Sequence, residues 1–355
     1  MISENALRHA EKCRFCWMCC HLCPVQHQTG KEINTPRAKG LLLSMVNKGA
    51  QEFDKDMGQV MYECLLCDAC TNDCATGYQP PLFIREARTQ AVVNEVAPEA
   101  VMKLIDTALE TGSIYGGEEP DFAQEGTDVL VYIGEAASHK APQMAKNLLA
   151  VLAKAGVSAK VLAREPVSGV MLGDLMGYTE EVRTQAKACA DAINATGLPV
   201  VVLNSYDAEI IKQKYPEWGC EIKADVTTAT AYVAKLIEEG KLEAKAAKAT
   251  VGACHDDDRL ARTFHEFAPI RAIAKAAGYE VGEMFHKEEL AKSCGTAVAY
   301  GYMPEIVTKV AAARWDDLKR SGCEAMLTAS PEAYFCLSLN VPEGKVLVDL
   351  YGALL

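Results

Sequence analysis

Eight cysteines fall into two runs of one pattern, Cys13-x2-Cys16-x2-Cys19-x3-Cys23-Pro24 and Cys64-x2-Cys67-x2-Cys70-x3-Cys74. Cysteines at i, i+3 and i+6 let one tight loop present three thiolates to three corners of an iron–sulfur cubane, while the fourth, four residues on, points away. In two-cluster ferredoxins that fourth cysteine ligates the other cluster. The spacing therefore predicts two [4Fe–4S] clusters with crossed ligation: Cys13, Cys16, Cys19 and Cys74 for the first, and Cys64, Cys67, Cys70 and Cys23 for the second. Zinc also takes four thiolates, but its usual signature is two separated C-x2-C pairs. Disulfides are a third alternative. The second run continues with Ala75 where the first has Pro24, a change in the loop that touches no ligand.

Several neighbours of the runs carry a second layer of chemistry. Cys20 adjoins Cys19 as an alternative ligand or as packing. His21 and His27 are either solvated or donors to a cluster sulfur, which would raise its potential. Arg14, Arg37 and Lys39 either offset the negative charge of a thiolate-ligated cluster or lie free on the surface.

The rest of the chain bounds the function. With 355 residues, half of them apolar, it is long enough for two or three packed domains. A formal net charge of −12 leaves no basic surface for phosphates, so nucleic acid is not an expected partner. The amino terminus has no apolar core of the secretory type, and no apolar run approaches the roughly 18 residues of a membrane span. No transmembrane segment is expected, and peripheral membrane association stays open. Eight cysteines committed to cluster spacing and seven scattered ones fit a reducing cytoplasm. No G-x-G-x-x-G in a strand-to-helix context and no G-x-x-x-x-G-K-[ST] occur, so the chain is expected to carry no flavin, nicotinamide or ATP of its own. Two one-electron centres without an organic cofactor make a relay, with the hard chemistry elsewhere.

The elements that must hold the runs read as helical. A short helix over residues 1–12, helical patterns at Pro36–Leu43 and Phe53–Tyr62, and a stretch opened by Pro80-Pro81 predict an all-α module over residues 1–96. A connecting helix, Pro98–Thr111, and a loop fill 97–126. From there strands and helices alternate as in parallel βα units. Strands are expected at Val129–Ile133, Ala159–Leu162 and Pro199–Leu203, then at Ala249–Ala253, Glu280–Met284, Ala325–Ala329 and Val346–Leu350. The order recurs with a period of about 125 residues, and three short matches in sequence support a repeat: Ala155-Gly156-Val157 with Ala277-Gly278-Tyr279, Val167-Ser168-Gly169 with Ser293-Cys294-Gly295, and Leu203-Asn204-Ser205 with Thr328-Ala329-Ser330. The repeats are assigned to 127–240 and 248–355, joined by a solvated helix or linker at Glu238–Lys248.

Two ferredoxin runs followed by such repeats resemble the heterodisulfide reductase D-like iron–sulfur proteins, a group that includes the iron–sulfur subunits of glycolate oxidase and of anaerobic glycerol-3-phosphate dehydrogenase. The resemblance implies an α+β multidomain chain, an all-α dicluster ferredoxin module followed by two α/β CCG-type repeats with parallel sheets. It also implies an electron-transfer subunit that serves a partner flavoprotein dehydrogenase and a second electron carrier. In that family each repeat offers a cysteine near the end of its first strand, a Cys-Cys-Gly turn and a later Cys-Pro-x-Cys. Here the first repeat has Glu135, Val167-Ser168-Gly169 and Asn204-Ser205-Tyr206-Asp207 in those places, with no cysteine. The second keeps only Cys254 and Cys294, and its later motif is Ser330-Pro331-Glu332-Ala333. Cys254 and Cys294 are therefore buried thiols left by a decayed motif, the remnant of a third metal site to which Cys323 and Cys336 would contribute, or a redox pair. The corresponding alternative functions are a thiol or heterodisulfide reductase subunit and an iron–sulfur redox sensor. Cys189 and Cys220 fit no spacing and read as structural. The run His255-Asp256-Asp257-Asp258 is expected to be a solvated loop, with a metal site as the alternative.

Overall fold

The computed structural model describes residues 2–117, 120–247 and 249–355. Residue 248, where the second repeat was expected to begin, and residues 118–119 of the connecting loop lie outside them.

Among the described residues, everything before residue 129 is helix or loop. Helices span Glu4–Ala10, Pro24–Thr29, Pro36–Asn47, Lys55–Tyr62, Ala69–Asn72, Pro80–Val93 and Glu99–Thr111. Their starts are written in the sequence. Ser3, Thr35 and Asp54 accept backbone N–H groups as N-caps, and Pro24, Pro36 and Pro80 sit in first turns whose amides need no partner. Leu43, Met57, Met61, Tyr78, Phe83, Ile84 and Ala87 form the core they share.

Strands β1 (Val129–Tyr132), β2 (Ala159–Lys160), β3 (Val200–Val202) and β4 (Val226–Thr228) make one parallel sheet in the order β2-β1-β3-β4. Strands β5 (Val251–Cys254), β6 (Glu280–Gly282), β7 (Ala325–Thr328) and β8 (Val346–Asp349) repeat that order as β6-β5-β7-β8. Strand β4 was not expected. It is a three-residue, half-buried edge strand whose Val-Thr-Thr gives neither alternation nor a continuous apolar run.

The repeats interlock about a pseudo-twofold. The helix closing the first, Ala229–Glu238, packs on Ala268–Ala276 of the second. The helix closing the second, Leu350–Leu354, packs on Pro142–Lys154 of the first, where Asn147 bonds Asp349 and Lys154 bonds the Leu354 carbonyl. One apolar cluster runs through both, from Val131 and Leu148 to Ile273 and Leu327. The helix Ala229–Glu238 ends at Gly240, φ 72°, and the exposed linker follows.

Candidate metal centres

The two cysteine runs adopt the same backbone. Residues two and four past the first cysteine take positive φ in both, Phe15 (54°) and Trp17 (68°), Leu66 (53°) and Asp68 (65°). None is glycine, so each such residue costs on the order of 1–3 kcal/mol unless the surroundings hold it. The turn brings an amide to sulfur in each: Phe15 N–H donates to Cys13 Sγ and Leu66 N–H to Cys64 Sγ, both at 3.4 Å. Amide donors aimed at a cysteine sulfur are what a thiolate with a shared negative charge requires.

The fourth cysteines reach across. Cys23 lines one apolar cavity together with Cys64, Cys67 and Cys70. Burial pushes its thiol up to about 11, with a thiolate at Cys64 adding to the shift, and its own charge is felt at Cys67 and Cys70. Cys74 lies at the other run: Thr76 Oγ1 is 3.3 Å from both Cys74 Sγ and the Lys12 carbonyl, and Lys12 Nζ reaches the Gly77 carbonyl. Pro24 starts a helix, whereas Ala75 enters a turn completed by Gly77 at φ 69°, the local result of losing that proline. Among the described residues no three His, Cys, Asp or Glu side chains converge as ligands of one metal ion. A cubane sets its four thiolates at the corners of a body rather than around a point.

Lys39 adds a charge to this cavity. It is 1% exposed, lines the space beside Cys23 and Cys64, and among the described residues its Nζ has no hydrogen-bond partner. Burial lowers its pKa, opposed by the charges of Cys64, Cys23 and Glu63. An ammonium without a partner is costly in such a place, and an anionic cluster is the counter-charge the site lacks. The donor set, the amide-to-sulfur turns and this orphan cation together fit the expected group.

The surroundings of the runs differ. Cys16 is exposed, with Phe15 50%, Trp17 49% and Met18 50% exposed around it. Leu65, Leu66, Cys67 and Ala69, the corresponding stretch, are buried. The second run is bolted to both repeats. Arg88 donates to the carbonyls of Met61, Cys64 and Asp174, Tyr62 OH donates to the Leu175 carbonyl, and Arg259 Nη2 donates to the Leu66 carbonyl at 3.0 Å. Arg259 pairs in turn with Glu209 at 2.9 Å, and Arg85 pairs with Asp174 at 3.1 Å. These positions were not singled out from the sequence. Arg88 carried a signal, a charged residue on the apolar face of Ile84, Ala87 and Ala91.

His255–Asp258 corrects the expectation of a solvated loop, since all four are buried. Each charge finds a partner where the C-terminal strand ends of the repeats meet. Asp257 caps the helix Asp258–Arg262 and accepts from Ser205 and Ser330, the equivalent serines of the two repeats, at 2.6 Å each. Asp256 is bridged by Arg271, Asp258 takes Arg262, Tyr206 and Ser293, and His255 Nδ1 accepts from Arg314 Nε at 3.1 Å. Burial and the Arg314 charge hold His255 well below the usual histidine range. The polar strand ends of the two repeats form a hydrogen-bonded seam.

Cys254 and Cys294 fall in different apolar clusters. Cys254 belongs to the cluster running between the sheets, whereas Cys294 packs with Cys323 and Cys336 in another. Burial pushes the Cys254 thiol up to about 12 and the Cys294 thiol well up, so both are held as neutral thiols rather than nucleophilic thiolates. His27 Nε2 lies 2.9 Å from the His21 carbonyl and His21 lies 3.8 Å from Asp73, both exposed. Cys189 is buried in the core and Cys220 is half-buried.

No protein-family model matches the chain. It is 27% identical over 127 residues to a subunit of the anaerobic glycerol-3-phosphate dehydrogenase of Escherichia coli (strain K12), covering 34% of this chain and 32% of that protein. A probable membrane-anchored ferredoxin of Chromohalobacter salexigens is 23% identical over 258 residues, 67% of this chain and 38% of its own length. The EtfAB:quinone oxidoreductase of Syntrophomonas wolfei is 24% identical over 220 residues, 60% and 30%. The chain thus spans about a third of the length of these curated relatives. Among solved structures, a hypothetical protein from Helicobacter pylori shares the fold at a TM-score of 0.60 and 12% identity, covering 99% of this chain and 72% of that one. Among the described residues no helix is long and apolar enough to cross a membrane. By name these relatives are a dehydrogenase subunit, a ferredoxin and a quinone oxidoreductase.

Proposed function

We propose that this chain is the electron-transfer subunit of an oxidoreductase complex, relaying electrons through two [4Fe–4S] clusters between a partner flavoprotein dehydrogenase and a second carrier, on the cytoplasmic side of the cell. Cys13, Cys16, Cys19 and Cys74 would hold the first cluster, and Cys64, Cys67, Cys70 and Cys23 the second. The carrying observation is the doubled loop: two cysteine runs with positive φ at the same two non-glycine positions and the same amide-to-sulfur contact. Each cluster would supply a one-electron couple at a site the folded chain keeps rigid.

The protein's own residues do the rest. Phe15 and Leu66 amides stabilise negative charge on sulfur. Lys39 balances that charge in the buried site, Leu65, Leu66 and Ala69 keep water from it, and Arg88 and Arg259 fix its loop to the repeats. The repeats serve as a scaffold and docking body, because the thiols of Cys254 and Cys294 are buried and neutral. Protein prepared anaerobically should contain about eight iron and eight sulfide per chain. About twelve would require a third cluster and about four would leave one run empty; either result sinks this reading.

A further inference from the structure

We infer that the face around the first cysteine run is a docking surface for an acidic protein electron carrier. The inference rests on the reading of Cys13, Cys16, Cys19 and Cys74 as cluster ligands. Cys16 is exposed in the middle of Phe15, Trp17 and Met18, three large apolar side chains about half exposed on adjacent positions. Large apolar side chains contiguous on the surface mark a contact site. Arg37 stacks on it, its guanidinium carbon 3.7 Å from the Trp17 ring centre and 5.4 Å from that of Phe15. Leu41, four residues on along the same helix, is 45% exposed and extends the patch. Rings locked under a guanidinium lose little freedom on binding, which favours their use as anchors.

Charge names the occupant. Leaving out the buried Lys39, residues 1–50 carry six Lys and Arg against three Glu, in a chain that carries 36 against 48 overall. The segment bearing the exposed cysteine is therefore basic while the remainder is strongly acidic. Arg14 and Lys31 are exposed there, and Arg37 is held by Glu32. A second copy of this acidic chain would be repelled over most of its surface. A carrier with an acidic rim around its cofactor would be steered to this face and turned from the rest. At the contact one electron leaves the reduced first centre and enters the carrier's cofactor, so the former is oxidised and the latter reduced.

The test is stopped-flow oxidation of dithionite-reduced holoprotein by an acidic flavodoxin, ferricyanide or hexaamminecobalt(III), at salt from about 20 to about 300 mM. Local attraction should slow the flavodoxin and ferricyanide reactions by about tenfold as salt rises, and speed the cobalt reaction. The net charge of the whole chain demands the opposite signs. Arg14→Glu/Lys31→Glu should lower the low-salt flavodoxin rate about tenfold and flatten its slope. Phe15→Ser/Trp17→Ser should slow the reaction several-fold and keep the slope. Intact cluster absorbance and EPR signals with reversed or absent salt dependence would overturn the inference, as would a wild-type dimer that Trp17→Ser converts to monomer. Wild-type protein with no cluster on the first run removes the underlying reading, and the inference with it.

Discussion

The two cysteine runs share a backbone and almost nothing else. Arg14-Phe15-Cys16-Trp17-Met18 corresponds to Leu65-Leu66-Cys67-Asp68-Ala69, yet the first stretch faces water and the second lies under both repeats. Local conformation follows from the cysteine spacing and its turns. Environment follows from what each loop is packed against. In the proposed relay the first run would exchange electrons with a partner, and the second would hold its cluster in a dry place beside the buried Lys39.

Crossed ligation is the sharpest way to break that comparison. Cys23→Ser should remove the second cluster's signal and Cys74→Ser the first, each with loss of up to about half the iron, read by EPR and iron analysis. Signals that vanish on the mutated cysteine's own run would mean that each run serves itself. The next effect concerns the clamp on the second run. Arg88→Leu leaves the Met61, Cys64 and Asp174 carbonyls without their donor, and loss of a buried charged donor costs about 3 kcal/mol. The thermal midpoint should fall by several degrees, and the second cluster should be lost before the first on mild heating.

Lys39→Met tests the counter-charge. A unit charge roughly 8 Å away interacts by about 2 kcal/mol at an effective dielectric of about 20, which is about 90 mV for one electron. The second cluster's potential should fall by about that much while the first stays put. Equal shifts, or none, would erase the electrostatic difference between the sites.

The seam between the repeats carries a pH-dependent effect. Burial, followed by the charges of Asp257, Asp207 and Asp174, pushes the Glu332 carboxyl up to about 8 from an ordinary value of 4.5, while it accepts from Ala297 N–H at 2.5 Å. A folded pKa above the unfolded one means the stabilising form is protonated. Its contribution is complete below about pH 4.5 and is lost as pH rises through about 8. Thermal stability should fall over that window, and Glu332→Gln should flatten the fall; an unchanged pH profile would dismiss Glu332 as its source. The smallest expected change is that of Cys254→Ala/Cys294→Ala, about 1 kcal/mol of packing per site, with both cluster signals and partner-dependent electron transfer kept. Collapse of turnover with those signals intact would give the two thiols a chemical role.

Spacing made the doubled cysteine loop legible from the sequence, because one-residue register decides which side chains share a tight turn. Periodicity likewise gave the helices around it, such as the connecting helix expected at Pro98–Thr111 and observed at Glu99–Thr111, and the βα alternation. Edge strand β4 escaped because Val-Thr-Thr shows neither alternation nor a continuous apolar run. The fate of His255–Asp258 was illegible for a deeper reason: four polar residues in a row read as solvated unless something elsewhere offsets their desolvation, and here Ser205, Ser330, Arg271, Arg262 and Arg314 arrive from other parts of the chain.

By itself the sequence determined the eight cysteines, their two identical turns, the helical frame around them and the twofold repetition of the sheets, all of which depend on neighbours within a few residues. Only the tertiary structure decided which run is covered, that Lys39 is left without a partner beside Cys23 and Cys64, and that Cys254 and Cys294 lie in separate clusters. Burial and charge pairing are set by contacts between segments far apart in the chain, such as Arg259 on the Leu66 carbonyl, and no local pattern encodes them.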